Sequence, residues 1–142
     1  MLLDTIKGNI IIKDKVQSWE EAIQISAEPL LKKNWITEGY VDAMISNVKK
    51  NGPYIVIVPG FAMPHARPEC GALQTGMSFL KLNEPVVFPD DMEVQLILSL
   101  AANDSNAHLA ALSELTDIVM DDDKMEQLFH SETIEEILEI LK

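Results

Sequence analysis

The 142-residue sequence has one cysteine, few basic residues and no long hydrophobic run. Cys70 has no partner within the chain for a disulfide, which agrees with a reducing compartment. The 11 lysines and arginines against 23 acidic residues give a formal charge of −12, so the clustered bases of a phosphate-backbone binder are missing. The composition therefore argues against nucleic acid as a partner and favours a basic protein.

Targeting and membrane features are also missing from the sequence. The N-terminal stretch MLLDTIKGNIIIKDK has no uninterrupted apolar segment followed by a small-residue cleavage site. No run approaches the ~18 apolar residues that a membrane span requires. We therefore expect a cytoplasmic protein, and the length predicts that residues 1–142 form a single domain.

Capping residues and helical periodicity predict two helices in the N-terminal third. Ser18–Glu21 has the spacing of a capping box and predicts a helix from residue 19, which Pro29 should bend or interrupt. Thr37 is the next N-cap candidate. Its helix should run at helical spacing from Tyr40 until Asn51, where a glycine and a proline follow.

The central part of the sequence predicts a sheet. Tyr54–Val58 is continuously apolar and rich in β-branched residues, as expected for a strand buried on both faces. Two further strands are predicted at Gly76–Leu82 and Val94–Leu100, with Glu84–Asp91 as a connection. Asn9–Ile12 is a candidate edge strand.

Two more helices are predicted after the strands. Residues 106–121 carry an amphipathic pattern, and Thr133–Glu136 is a second capping box that opens a terminal helix through Leu141. The order of elements indicates an α/β or α+β sandwich in which helices cover a mixed sheet.

Two of the three histidines lie on predicted helices. His130 ends a helical segment, where a solvated side chain is the simplest interpretation. His108 shares a helical face with Leu112, Leu115 and Val119 and so should point inward. It belongs to the first turn, where backbone N–H groups favour an anion, although a structural core histidine is the alternative.

His65 lies in the stretch PGFAMPHARPECG, residues 59–71, directly after the most apolar strand. Such loops carry binding and reactive groups in open α/β sheets. Pro64 and Pro68 restrict the backbone on either side of the histidine, so the chain itself holds the ring. The alternative is a loop histidine of no chemical consequence.

The residues around His65 are compatible with phosphoryl transfer. An uncharged imidazole has a nucleophilic nitrogen, and the reaction otherwise needs positioning and neutralisation of phosphate oxygens. Arg67 is a candidate cation, and Thr75 and Ser78 are candidate hydroxyl ligands, against the alternatives of a solvated arginine and ordinary strand residues. A zinc site of Cys70, His65 and His108 lacks the close ligand pairs typical of zinc, and nothing marks Cys70 as the thiolate of a hydrolase.

The sequence also resembles a known family. Pro64-His65-Ala66 after an apolar strand, with His108 at the head of a leucine-rich helix, resembles the enzyme IIA domain of the mannitol/fructose family of the bacterial sugar phosphotransferase system. The longer run from Gly52 through Glu69 looks most like the L-ascorbate-specific branch.

This resemblance implies a fold, a reaction and a set of partners. The fold would be α/β, with a mixed (parallel and antiparallel) central sheet sandwiched between helices. His65 would accept a phosphoryl group from the histidine-containing phosphocarrier protein and pass it to a cysteine of enzyme IIB, with His108 as the supporting histidine. A membrane enzyme IIC would be an indirect partner, and no metal or organic cofactor is implied. Relatives of the mannitol type usually carry an arginine where this sequence has Asn47, which leaves Arg67 as the candidate cation.

A regulatory interaction module, whose phosphorylation state is sensed by a transcription regulator or another partner, is the alternative function. The sequence shows no helix-turn-helix segment or basic patch that would favour it. The oligomeric state stays open, with a homodimer as one alternative. The transported sugar also stays open, since enzyme IIA handles the phosphoryl group and not the sugar.

Overall fold

The computed structural model describes residues 5–142, apart from the side chains of Ser105 and His108. Within this range the chain forms one sheet of five strands in the order β1-β4-β5-β3-β2. Their bounds are Ile10–Lys13 for β1, Val56–Val58 for β2, Gly60–Ala62 for β3, Gly76–Phe88 for β4 and Met92–Ala101 for β5. Pairs β1/β4 and β3/β5 are parallel, whereas β4/β5 and β2/β3 are antiparallel. The mixed sheet expected from the sequence is thereby confirmed.

The main helices follow the capping signals of the sequence. They are α1 at Trp19–Lys32, α2 at Glu38–Asn51, α3 at Ser105–Val119, α4 at Asp122–His130 and α5 at Ile134–Leu141. The predicted caps Ser18, Thr37 and Thr133 each accept a hydrogen bond from the backbone N–H three residues on. Such caps satisfy N–H groups that a helix start leaves without a partner.

Side chains of the sheet alternate between two apolar layers. Leu96, Leu98 and Leu100 of β5 face a cluster that includes Leu115 of α3 and Ile137 of α5. The second cluster joins β5 and β4 to α1 and α2. Its members include Val94 and Ile97 of β5, Leu80 of β4, and from the two helices Ala22, Ile23, Leu30, Val41, Met44 and Val48. Because successive strand residues point to opposite faces, one strand contributes to both layers. The predicted arrangement of a sheet sandwiched between helices is confirmed.

Some local predictions are wrong. Tyr54–Val58 does not form a strand buried on both faces, because β2 lies at the edge of the sheet and Ile57 is 42% exposed. Helix α1 runs through Pro29, so the interruption that was one of the two predicted outcomes does not occur; Ala27 and Leu30 on either side are fully buried and hold the helix in place. The predicted connection at Glu84–Asp91 lies mostly within β4, where a register shift between Lys81 and Val86 accommodates the intervening proline.

Candidate functional site

The segment around His65 is attached to the sheet on the side of β5. Strand β3 ends at Ala62, and the next residue, Met63, donates its N–H to Ile55 O at 2.9 Å. Leu100, near the end of β5, donates its N–H to Pro64 O at 3.0 Å. Pro64, the residue before the histidine, is therefore held by strand β5 as well as by its own loop.

The imidazole ring of His65 has a defined hydrogen-bond partner. Its Nδ1 atom lies 2.9 Å from Met63 O. A carbonyl oxygen only accepts hydrogen bonds, so Nδ1 carries the proton and donates it. In the neutral ring, Nε2 then holds the lone pair, which is the nitrogen that can act as a nucleophile. The rings of Tyr54 and His65 form a T-shaped pair with a centroid distance of 5.9 Å and an interplanar angle of 86°.

A cavity of about 570 Å³ opens beside His65. Arg67 contributes to its wall, so the structure brings together the predicted acceptor and the predicted cation. Asn47 also contributes. The remaining lining comes from Asn51, Tyr54, Ala66, Pro68 and Leu109. Because the wall combines one cation with neutral amides, the cavity suits a small anionic group.

Sequence reasoning missed Asn51 and Tyr54 as cavity residues. Asn47 and Asn51 are four residues apart on α2, so both amides lie on one helical face. The four-residue spacing indicates a pair of amides on one helical face, but the sequence does not show that this face lies beside His65. The sequence predicts Tyr54 in a buried strand, whereas it lies before β2 and is 46% exposed.

Thr75 and Ser78 do not line this cavity. The Thr75 hydroxyl donates to Asn103 Oδ1 at 3.0 Å and accepts from Asn103 N at 3.3 Å, so it secures the turn before α3. Ser78 is fully buried, and its hydroxyl donates to the carbonyl oxygen of Ser26 in α1. Both predicted hydroxyl ligands therefore have structural contacts elsewhere, and neither lines the cavity with His65.

The first turn of α3 reaches the rim of the cavity. Helix α3 begins at Ser105 and has Asp104 as its N-cap, which accepts from Ala107 N at 2.7 Å. Leu109 of this turn lines the cavity and is 63% exposed. His108 belongs to the same turn, as its sequence position predicts, but its side chain lies outside the described residues.

The other candidates from the sequence lie apart from the cavity wall. His130 ends α4, and its Nδ1 donates to Glu126 O at 2.9 Å, as expected for a helix-terminal histidine. Cys70 is an exposed free thiol in the short helical turn Pro68–Cys70. Among the described side chains, no three His, Cys, Asp or Glu residues are close enough together to hold a metal ion.

The phenol of Tyr40 is buried next to Ala66, the residue after His65. Desolvation raises the pKa of Tyr40 above its ordinary value of 10.0, partly offset by a hydrogen bond with the Ala66 backbone. The phenol therefore stays protonated near neutral pH and can both donate and accept a hydrogen bond.

Comparisons with known proteins agree with this geometry. Residues 5–142 match the family model described as the phosphoenolpyruvate-dependent sugar phosphotransferase system, EIIA 2. The solution structure of the mannitol-specific cryptic phosphotransferase enzyme IIA from Escherichia coli is 38% identical, with a TM-score of 0.93 over 99% of this chain and 98% of that one. The ascorbate-specific EIIA component of Escherichia coli K12 is 31% identical over 99% of this chain and 94% of its own length.

A third relative was solved together with a partner. It is the mannitol enzyme IIA of Escherichia coli in a complex with phosphorylated enzyme IIB. This relative is 31% identical, with a TM-score of 0.80 over 94% of this chain and 93% of that chain. These likenesses define the class of protein as an α/β phosphotransferase component of a sugar transport system.

The chain belongs to the EIIA 2 family of the phosphoenolpyruvate-dependent sugar phosphotransferase system. It is accordingly a phosphocarrier for sugar uptake. Relatives named for mannitol and for ascorbate both match it along nearly their whole length, so the expected likeness to the ascorbate branch does not single out that branch. Across residues 5–142, no helix has the length and apolar character needed to cross a membrane.

Proposed function

We propose that His65 is the phosphoryl acceptor of this carrier and that its Nε2 atom is the nucleophile. The observation that carries the proposal is the contact between His65 Nδ1 and Met63 O, which leaves the lone pair on Nε2. The donor is the histidine-containing phosphocarrier protein. The bond between Nε2 and phosphorus forms while the bond between phosphorus and the donor's ring nitrogen breaks, and that nitrogen regains its lone pair.

The second half-reaction passes the phosphoryl group to a cysteine of enzyme IIB. A sulfur–phosphorus bond forms, the Nε2–phosphorus bond breaks, and Nε2 recovers its lone pair. Throughout both steps Nδ1–H stays hydrogen-bonded to Met63 O, whose partial negative charge stabilises the positive charge that the phosphorylated ring acquires.

The charge of the phosphoryl group is stabilised by the cavity wall. We assign Arg67 as the cationic ligand and the amides of Asn47 and Asn51 as neutral hydrogen-bond donors, because all three line the cavity with His65. His108 is the proposed supporting histidine, since it belongs to the helical turn that reaches the rim. Thr75 and Ser78 have no place in this scheme.

We further propose that residues 1–142 act as one cytoplasmic phosphocarrier unit. The transported substrate is L-ascorbate or a related compound, with mannitol the named substrate of other relatives. The partners are the phosphocarrier protein and enzyme IIB, and through enzyme IIB a membrane enzyme IIC.

Phosphorylation with purified phosphotransferase proteins tests the acceptor. The chain is incubated with enzyme I, the phosphocarrier protein and radiolabelled phosphoenolpyruvate, and acid-labile label on the protein is counted. His65→Ala should lose this label, whereas His130→Ala, which changes an exposed histidine away from the cavity, should keep it. Label retained in full by His65→Ala would show that another residue is the acceptor.

The cognate transporter is identified by supplying the labelled protein with purified enzymes IIB of the ascorbate and mannitol types. Faster transfer to the ascorbate type supports L-ascorbate as the transported substrate. Faster transfer to the mannitol type would contradict that assignment and indicate a mannitol transporter. A chain that accepts label but donates it to no enzyme IIB, and binds a regulator only when phosphorylated, would favour the regulatory alternative.

A further inference from the structure

Tyr40 lies behind the cavity, in the first turn of α2, and its side chain is 1% exposed. Its hydroxyl oxygen is 3.1 Å from Ala66 N, 3.1 Å from Ala66 O and 2.8 Å from Leu100 O, which is the nearer of the two acceptors. The hydroxyl therefore accepts a hydrogen bond from the residue after His65 and donates one to the end of β5. These contacts join positions 26 and 60 residues apart in the sequence.

The residue before His65 is bonded to the same place on β5. Leu100 donates its N–H to Pro64 O at 3.0 Å. Pro64 is thus held by Leu100 directly, and Ala66 is held by Leu100 through the hydroxyl of Tyr40. His65 is the one residue between these two anchors, so a shift of either anchor moves its ring.

We infer that Tyr40 is a positioning residue for phosphoryl transfer, whose hydroxyl fixes Ala66 and so holds the His65 ring on Met63 O. The part of this inference that concerns transfer rests on the proposed role of His65. Tyr40 does not line the cavity, so it acts through the backbone beside His65 and not on the phosphoryl group.

Removal of the hydroxyl leaves the buried backbone groups of Ala66 and Leu100 without this partner. Ala66 is 7% exposed and Leu100 is 1% exposed, so water reaches neither group without a local movement. A buried N–H or C=O that loses its partner is strongly unfavourable. The backbone at Ala66 should therefore move toward solvent, which alters the angle and distance between His65 Nδ1 and Met63 O.

The test compares Tyr40→Phe with Ser131→Ala. Tyr40→Phe keeps the ring in the core and removes the hydroxyl alone. Ser131→Ala also deletes a buried hydroxyl that donates to a backbone carbonyl, Leu128 O at 2.7 Å, at the end of α4. It controls for general loss of stability without changing the residues that hold His65.

Two readouts separate positioning from stability. Nitrogen-15 NMR of the unphosphorylated protein at mildly alkaline pH reports which ring nitrogen of His65 carries the proton. The initial rate of phosphoryl uptake from the phosphocarrier protein reports transfer. We expect Tyr40→Phe to mix the two tautomers and slow uptake by about tenfold to a hundredfold, because small misplacements of reacting groups have effects of that size. Ser131→Ala should change neither readout.

Wild-type rates and a wild-type tautomer in folded Tyr40→Phe would overturn the inference. If wild-type His65 takes up no phosphoryl group, the proposed function fails, while the NMR spectrum still decides whether Tyr40 positions the ring.

A second arm does not depend on the folding of Tyr40→Phe. In a Tyr54→Phe background, 3-fluorotyrosine enters position 40 alone, because the chain has two tyrosines. The analogue keeps the hydroxyl and weakens it as an acceptor. Compared with unlabelled Tyr54→Phe, the Ala66 amide should then exchange with solvent faster, and unchanged exchange and an unchanged His65 spectrum would contradict the positioning role.

Discussion

Gly71 lies where an added side chain would strike the start of α2. Its φ is +134°, which L-residues rarely adopt, and a Cβ there would collide with Thr37 Oγ1 and approach Tyr40 Cβ to 3.2 Å. Thr37 is the N-cap of α2, and its N–H donates to Gly71 O at 3.0 Å. Gly71→Ala should therefore strain the backbone and displace the cap at the same time.

The expected cost follows from these two effects. Backbone strain of this type costs about 1–3 kcal/mol, and loss of an N-cap costs about 0.5–2 kcal/mol. We expect Gly71→Ala to lower the free energy of unfolding by about 3 kcal/mol, roughly a hundredfold in the folding equilibrium. Thr37→Ala alone should cost about 1 kcal/mol. The double variant should also cost about 3 kcal/mol, and not the sum of about 4, because the cap is lost only once.

Urea denaturation followed by circular dichroism measures all of these values. Gly52→Ala is the matched control, because its φ is +81° and no atom lies within 4 Å of its added Cβ. It should show the backbone strain alone. The reasoning is refuted if Gly71→Ala costs no more than Gly52→Ala, or if the costs of Gly71→Ala and Thr37→Ala simply add.

Three other predictions concern charge and pH. Arg67→Gln should slow phosphoryl uptake by about tenfold or more, since a charge-assisted hydrogen bond contributes about 1.5–3 kcal/mol. Arg67→Lys keeps the charge and should retain part of the rate. Equal rates for Arg67→Gln and wild type would show that Arg67 is not a phosphate ligand. Burial raises the pKa of Tyr40 above 10.0, so the folded protein holds the phenol proton more tightly than the unfolded chain does. The contribution of the protonated phenol to the free energy of unfolding is therefore complete below pH 10.0 and is lost as pH rises toward the folded-state pKa. Denaturation at several alkaline pH values should accordingly show wild type losing more stability than Tyr40→Phe, and parallel losses would contradict this. Association with a basic carrier protein should slow as salt rises, given the charge of −12, and stopped-flow rates independent of salt would exclude electrostatic steering.

Elements with local signals were predictable from the sequence. The caps at Ser18, Thr37 and Thr133 depend on neighbouring residues, and each helix begins where its cap predicts. The location of a strand within the sheet depends on distant partners instead. The apolar run before Pro59 predicts a buried strand and does not show that, within residues 5–142, β2 pairs with the short β3 at the edge of the sheet.

In the candidate site, too, features set by neighbouring residues were predictable, whereas features set by distant residues were not. His65 and Arg67 share one constrained loop, and their residue types were sufficient to single them out. Tyr40 and Asn51 meet that loop only after α2 packs on the sheet, so their contacts could not be read from spacing. Ser78 donates to α1 and does not line the cavity, a placement that the strand pattern of the sequence does not show.

The edge strand β2 has a consequence for self-association. An exposed strand edge can add a strand from another molecule, and long, flat edges do this most readily. Here the ladder covers three residues, its register shifts between Val56 and Val58, and Pro59 follows directly. A proline has no N–H to donate and the shift twists the edge, so β2 offers too little regular backbone for another chain to extend the sheet. A homodimer of this carrier that formed by strand addition would therefore not use the β2 edge of the sheet.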